Sequence, residues 1–500
     1  MRTTSSALAI SATSLLALTS HAKPVGRAEE KPLVNDDELQ SSVTVADLMQ
    51  CAQDLEDIAY ATPGRNRLHG TEGHLNTVKY IEDQLNSLGD YYTIEKQEYT
   101  TEIVFSSEAS LTIDGAEVDT GAFEFVNNGT WTDKPLVPVA NIGCDAGDYP
   151  DNVEGNIALI SRGTCTFALK AQLAGENGAV GAIIYNNVDA GPAAGTLGGV
   201  NDFIPVAGIT KADGERLVEE IAGGSTITSS GIFSSYIANG TSYNVIASSK
   251  AGDPNNVLML GAHSDSVVEG PGINDNGSGS CGILTVAKQL AKSVTNNQVR
   301  FAWWTAEEEG LLGATHYVET AAAAVLDKIR LYLNFDMIAS PNFIYGVYDG
   351  DGSAYNLSGP AGSAEVEKLF HDWLQENDHF VSESEFNGRS DYGPFLERGI
   401  PCGGLDTGAD GIKTEEEAAN NGGTAGVIYD PNYHTAADNI TNLNPGVFET
   451  MSRGIAHAVA TYGTSWQGFP LRNATSRFGA TRRWTPRTYT RAPKFSRKLL

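Results

Sequence analysis

Residues 263–279 read HSDSVVEGPGINDNGSG, and the residues leading into them, 255–263, read NNVLMLGAH. An apolar run of strand length thus ends on His263. Asp265 follows two positions later, and Asp275 sits in a loop with Gly270, Gly272, Gly277 and Gly279. Two further runs are built alike. VRFAWWTAEEEG (299–310) ends in Glu307, Glu308 and Glu309, and IRLYLNFDM (329–337) delivers Asp336. Helical pattern separates them, as in SGSCGILTVAKQLAKS (278–293). Short, wholly apolar strands alternating with helices predict a mostly parallel sheet covered by helices on both faces. In such a sheet ligands bind beyond the carboxyl ends of the strands, which is where these ionisable groups stand. The fold class expected is therefore α/β.

Outward from this centre the chain changes texture. HLNTVKYIEDQLNSLG (74–89) places Leu75, Val78, Ile81, Leu85 and Leu88 at helical spacing, with Gly89 as a stop. YYTIEKQEYT (91–100) then reads as a strand. Between about 120 and 235 the runs GNIALISRG, AVGAIIYNN and IPVAGIT, with helical FALKAQLAGENG, form a second small α/β block without a dense cluster of His, Asp and Glu. Residues 464–500 carry nine Lys or Arg and no acid, the composition of a disordered or trimmed tail.

The N-terminal MRTTSSALAISATSLLALTSHA has the basic start, apolar centre and small-residue end of a secretory signal peptide, cleaved after Ala22. A polar pro-segment is expected over 23–42. No stretch is apolar enough to span a bilayer, so a secreted, extracellular protein is expected, and sequons at Asn128, Asn239, Asn356, Asn439 and Asn473 fit that route. Asn276 heads a sixth sequon inside the opening motif, a poor place for a glycan. Of the five cysteines, Cys144 and Cys165 are the nearest pair; the pairing of Cys51, Cys281 and Cys402 stays open. The formal net charge of −29 argues against nucleic acid or an anionic membrane as partner.

The acids need a positive partner. Carboxylates crowded in a low-dielectric cleft repel one another, and no lysine or arginine accompanies the acids at the ends of these runs. A divalent metal resolves this, and a fifth contributor, His434 in YDPNYHTAADN (429–439), makes the donor set two imidazoles plus carboxylates. That set suits zinc better than magnesium or calcium. It also exceeds what one catalytic zinc needs, and a carboxylate can bridge two metals. Asp265, two residues along an extended segment from His263, is placed to orient that ring. Composition does not choose among Glu307, Glu308 and Glu309. His69, His74, His316, His371, His379 and His457 are read as structural.

GAHSDSV, GPGINDNGSG, FAWWTAEEEGLLGA, LNFDMIASPN, GRSDYGPF and YDPNYHTAAD together cover nearly all of 241–462, and in this the chain resembles the co-catalytic di-zinc aminopeptidases. SRGTCTFALKAQLAGENGAVGAIIYNN looks like a protease-associated domain. The resemblance implies a catalytic domain over 43–120 and 241–463 with a protease-associated domain inserted at 121–240. It implies two zinc ions per chain, one on His263 and Asp336, the other on Glu308 and His434, with Asp275 between them. It makes Glu307 the general base, Asp265 the residue that orients His263, and Tyr433 a donor to the oxyanion. The expected substrate is a peptide with a free N-terminus, cleaved after a hydrophobic residue such as Leu, by a monomer. Some relatives carry a cysteine before the Tyr-His pair; Asn432 here removes the basis for one loop disulfide and leaves the catalytic set intact. A carboxypeptidase of the same superfamily usually appends a helical dimerisation domain, for which the chain after His434 is short. A glutaminyl cyclase shares the fold but uses one zinc, and a receptor-like binding protein would have lost ligands that are all present here.

Overall fold

The computed structural model describes Met1, residues 31–189 and residues 191–472. The expected signal peptide and most of the basic tail lie outside the described residues.

Four strands run parallel through the centre in the order Cys402–Asp406, Ile329–Phe335, Asp253–His263, Asn297–Trp304. Their register puts His263 beside Trp304, Gly261 beside Asn334 and Phe335 beside Leu405. Their carboxyl ends therefore share one edge. The unbroken apolar runs are explained by burial on both faces. Leu258, Leu260 and Ala262 join one core, while Val257 and Met259 join the other, as the two-residue period of a strand requires. The first core is completed by helices Val45–Tyr60, Gly279–Leu290 and Pro445–Thr464, the second by Leu312–Thr320 and Tyr392–Glu397. The disulfide Cys51–Cys281 ties two of these helices, Cys144–Cys165 closes a loop in the insert, and Cys402 is free and buried.

The predicted helix at 74–89 is Glu72–Asn86, capped by Thr71. Val78, Ile81 and Leu85 are buried, but Leu75 is exposed.

The insert has its own core around the parallel strands Ile157–Ser161, Gly181–Tyr185 and Val206–Ile209. It is joined to the rest by a long antiparallel ribbon, Tyr92–Ile113 against Thr228–Ser249, paired from Tyr92↔Ser249 to Ile113↔Ser229 with one irregularity at Val104/Ser106. Tyr92 and Ile94 pack with the first core, Leu111 and Ile113 with the insert core. The change of core thus falls inside the ribbon, whereas sequence texture placed the boundaries near 120 and 240.

Residues 31–42, expected as part of a pro-segment, are packed against the first core. Val34 and Leu39 are buried, the Val34 N–H donates to Val294 O, and Asp36 pairs with His457 at 2.8 Å. Two buried apolar residues among many polar ones are too few to show as periodicity, which is why the sequence reads as leader. The start of the basic tail is packed too: Phe469 is buried against Tyr462, and Arg472 donates to Leu326 O.

Candidate active site

At the shared strand edge, His263, Asp275, Glu307, Glu308, Asp336 and His434 come together. The finding that organises them is Asp275: its Oδ1 lies 3.1 Å from His263 Nε2 and its Oδ2 3.1 Å from His434 Nε2. His263 Nε2 is also 3.4 Å from Asp336 Oδ1, and His434 Nε2 is 3.1 Å from Glu308 Oε2. Donor atoms of His263, Glu307 and Asp336 lie within 4.8 Å of one another, and so do those of Asp275, Glu308 and His434.

Three loops that carry these groups turn through left-handed residues other than glycine: Ala306 (φ 53°), Met337 (φ 55°) and His434 itself (φ 55°). Such positions cost energy and collect at functional sites. Of the four glycines expected to bend the loop around Asp275, only Gly272 has positive φ, 61°. The others serve close approach. A Cβ at Gly270 would meet Thr435 O at 2.3 Å, and one at Gly279 would meet Phe335 O at 2.1 Å.

Asp265 is fully buried. Its carboxylate faces His263 Nδ1 at 3.6 Å and accepts the backbone N–H groups of Glu307 and Glu308 at 3.2 and 3.3 Å. It thereby couples the ends of two neighbouring strands. Tyr433 stacks on the His434 ring with centroids 3.8 Å apart, and its hydroxyl accepts from Arg389 at 3.3 Å.

Burial opposes charge on both histidines, yet the carboxylates prevail. Asp336, Glu307, Asp265 and Asp275 hold His263 well above the usual imidazole range, and Glu308 with Asp275 lifts His434 to about 10. Burial, with Asp336 and Asp391 nearby, pushes Glu307 well above the usual carboxylate range. Buried Asp336 Oδ1 and Glu308 Oε1 have no hydrogen-bond donor. Imidazole nitrogens and undonated carboxylate oxygens converging on common points are a donor set that zinc fits.

Several contributors have roles that the sequence alone does not assign. Arg67 is fully buried and donates to Pro271 O at 2.8 Å, to Gly272 O at 2.5 Å and to Ser264 O, clamping the loop before Asp275. Burial lowers its pKa to about 10, against the pull of Asp265. Asp438 accepts the N–H groups of Asn274 and Asp275. Ser390 donates to Asp336 Oδ2 at 2.5 Å. Asp391 is fully buried with neither oxygen hydrogen-bonded, and burial drives its pKa well up. His69 and His74 are buried and satisfied, as expected of structural histidines: His69 contacts Thr305 and Gly240 O, and His74 sits between Ser242 and Ser264. Asn276 is buried, its side chain donating to Phe335 O, which leaves no room for a glycan.

A pocket of about 330 Å³ opens beside the cluster. Asp275, Glu307, Glu308 and Asp336 form its floor, and Ile344, Tyr348, Asp406 and Tyr433 are among its walls.

An α/β sheet with paired histidine–carboxylate triads at its carboxyl edge defines a metallohydrolase architecture. Residues 244–459 match peptidase family M28 and residues 132–217 match the PA domain. The chain is 48% identical over 448 residues to leucine aminopeptidase 2 of Arthroderma otae, covering 89% of this chain and 90% of that protein. It is 49% identical over 469 residues to the probable leucine aminopeptidase 2 of Aspergillus fumigatus, covering 92% and 93%. Among solved structures, the aminopeptidase from Aneurinibacillus sp. strain AM-1 superposes with a TM-score of 0.71 at 27% identity, over 86% of this chain and 96% of that one. A zinc aminopeptidase from Bacillus subtilis gives 0.63 at 25% identity, over 86% and 97%. The chain belongs to peptidase family M28.

Proposed function

We propose that this protein is an extracellular aminopeptidase that binds two zinc ions and removes N-terminal residues, preferably hydrophobic ones such as Leu. The observation that carries the reading is the placement of one Asp275 oxygen on each histidine. His263 and Asp336 would hold one ion, Glu308 and His434 the other, with Asp275 shared. The chemistry such ions supply is Lewis acidity toward a water and toward the scissile carbonyl.

The remaining work falls to side chains. Glu307 takes the proton of the attacking water and returns it to the leaving amine, a role that its raised pKa suits. Asp265 keeps the His263 ring in place and holds the Glu307 amide. The Tyr433 hydroxyl donates to the oxyanion. The acids of the pocket favour a free α-ammonium group, and Ile344, Met337 and Tyr348 offer apolar contact to the side chain. Two disulfides support an oxidising compartment, and no helix among the described residues is long and apolar enough to cross a membrane.

The test is metal content together with hydrolysis of leucine p-nitroanilide, its N-acetylated form and lysine p-nitroanilide. Two zinc ions, cleavage of the leucine substrate and no cleavage of the acetylated one are expected. Cleavage of the acetylated substrate would remove the exopeptidase reading; equal rates on Leu and Lys would remove the hydrophobic preference.

A further inference from the structure

A second cleft, about 720 Å³, lies between the catalytic domain and the insert. The catalytic side contributes His434, Thr435 and Ala436, and the insert side contributes Ser107, Ala122, Ile232 and Ser234 among others. The two cavities meet at one place: Tyr433 lines the first and His434 the second, with their rings stacked.

The division of residues between the cavities assigns them different parts of a substrate. The first holds Glu307, Asp275, Glu308 and Asp336, so the reacting carbonyl must lie at its rim. It is the smaller, and an aminopeptidase has one residue to place on that side. The second cleft touches the site through His434 alone. Everything after the scissile bond has to leave past that histidine, and this cleft is the space it enters. Its volume is that of a site for a ligand several times the size of one side chain.

Resting on the aminopeptidase reading, we propose that the ribbon and the insert it carries form one wall of a cleft that binds the substrate chain beyond the scissile bond. The lining names the preferred chain. Its side chains on the ribbon and insert are mostly small, Ser107, Ala109, Gly121 and Ala122, which lets an extended backbone approach. Ile232 stands 62% exposed on its wall, an apolar contact awaiting a partner. The charged residues that line it are acidic, Glu108 and Glu269, with no Lys or Arg. A carboxylate in this cleft is therefore disfavoured. The preferred substrates are peptides of four or more residues, uncharged or basic after the first, and a dipeptide, whose terminal carboxylate falls inside the cleft, is poor.

The experiment uses the full chain, wild type, Ile232→Asp and Ser234→Trp, with Leu-Ala, Leu-Ala-Ala-Ala, Leu-Ala-Asp-Ala and leucine p-nitroanilide as substrates. Both substituted positions are exposed, so folding is not threatened. In wild type, kcat/KM for Leu-Ala-Ala-Ala should exceed that for Leu-Ala and for Leu-Ala-Asp-Ala by about tenfold. In each variant the ratio of Leu-Ala-Ala-Ala to leucine p-nitroanilide rates should fall by about tenfold, mostly through KM. Wild type that cleaves leucine p-nitroanilide but treats the three peptides alike, or variants with the wild-type ratio, would overturn the cleft and leave the aminopeptidase standing. Wild type inactive on every substrate would overturn both. A wild-type dimer that Ile232→Asp converts to monomers would show another occupant and overturn the proposal.

Discussion

The carboxylate of Asp438 accepts the backbone N–H of Asp275 at 3.0 Å, across 163 residues of sequence. The same side chain accepts from Asn274 at 2.9 Å and is itself held by Asn442 at 3.0 Å. The peptide plane that carries the shared carboxylate is therefore fixed from behind. Asp438→Ala should weaken zinc binding by about 10- to 100-fold, the usual effect of losing a group that orients a ligand. Competition with a chromogenic chelator measures this, and wild-type affinity in the variant would show that Asp275 needs no such support.

Glu307→Gln removes the proton acceptor and keeps the shape. Loss of kcat by about 10²- to 10⁴-fold is expected, with metal content unchanged, since the proposed ligand set does not include this residue. Leucine p-nitroanilide kinetics beside elemental analysis decides it. Loss of metal in the variant would make Glu307 a ligand instead, a role that its place beside His263 and Asp336 also permits.

Arg67→Met leaves the buried carbonyl oxygens of Ser264 and Pro271 without a donor and Gly272 O with the Gly277 N–H alone. Destabilisation of about 3–5 kcal/mol is expected, the range for removing one partner of a buried charged group. Urea unfolding followed by fluorescence gives the value; a change below about 1 kcal/mol would mean that water replaces the guanidinium.

His74 links folding to pH. Burial lowers its pKa from 6.5 to about 3 in the folded chain, and burial lowers His69 as well. Between those values the unfolded chain binds more protons, so stability rises with pH there. The contribution is fully present above about pH 6.5 and is lost as pH falls toward 3. Thermal melting between pH 7 and 4 should show Tm falling in wild type and falling less steeply in His74→Gln. Parallel slopes would assign the acid lability to other groups.

The edge that carries the candidate site was readable because each strand reaching it announces itself twice, by an apolar run and by an ionisable residue where the run stops. His263, Glu307 and Asp336 need only that local pattern. Arg67, Ser390 and Asp438 were not readable, because their roles are created by contacts across 54 to 205 residues. An arginine in a turn looks the same whether it faces water or three carbonyls. The chemistry of Asp265 was legible in part. Its relation to His263 follows from strand geometry, whereas its hold on the Glu307 and Glu308 amides depends on which strand lies next door. Leu75 marks the opposite failure, where helical spacing extends one position beyond the buried face.

The ribbon of Tyr92–Ile113 and Thr228–Ser249 acts as a ruler. The chain leaves for the insert at Tyr92 and returns at Ser249, its direct partner. Shortening both strands by two matched residues would lower the insert toward the catalytic edge by about 6.8 Å and keep every side chain on its own face. Shortening both by one would turn the faces over. The distance between the two bodies is thus adjustable in discrete steps written into strand length, and a relative with a longer or shorter ribbon would offer a roomier or tighter passage without altering a single catalytic residue.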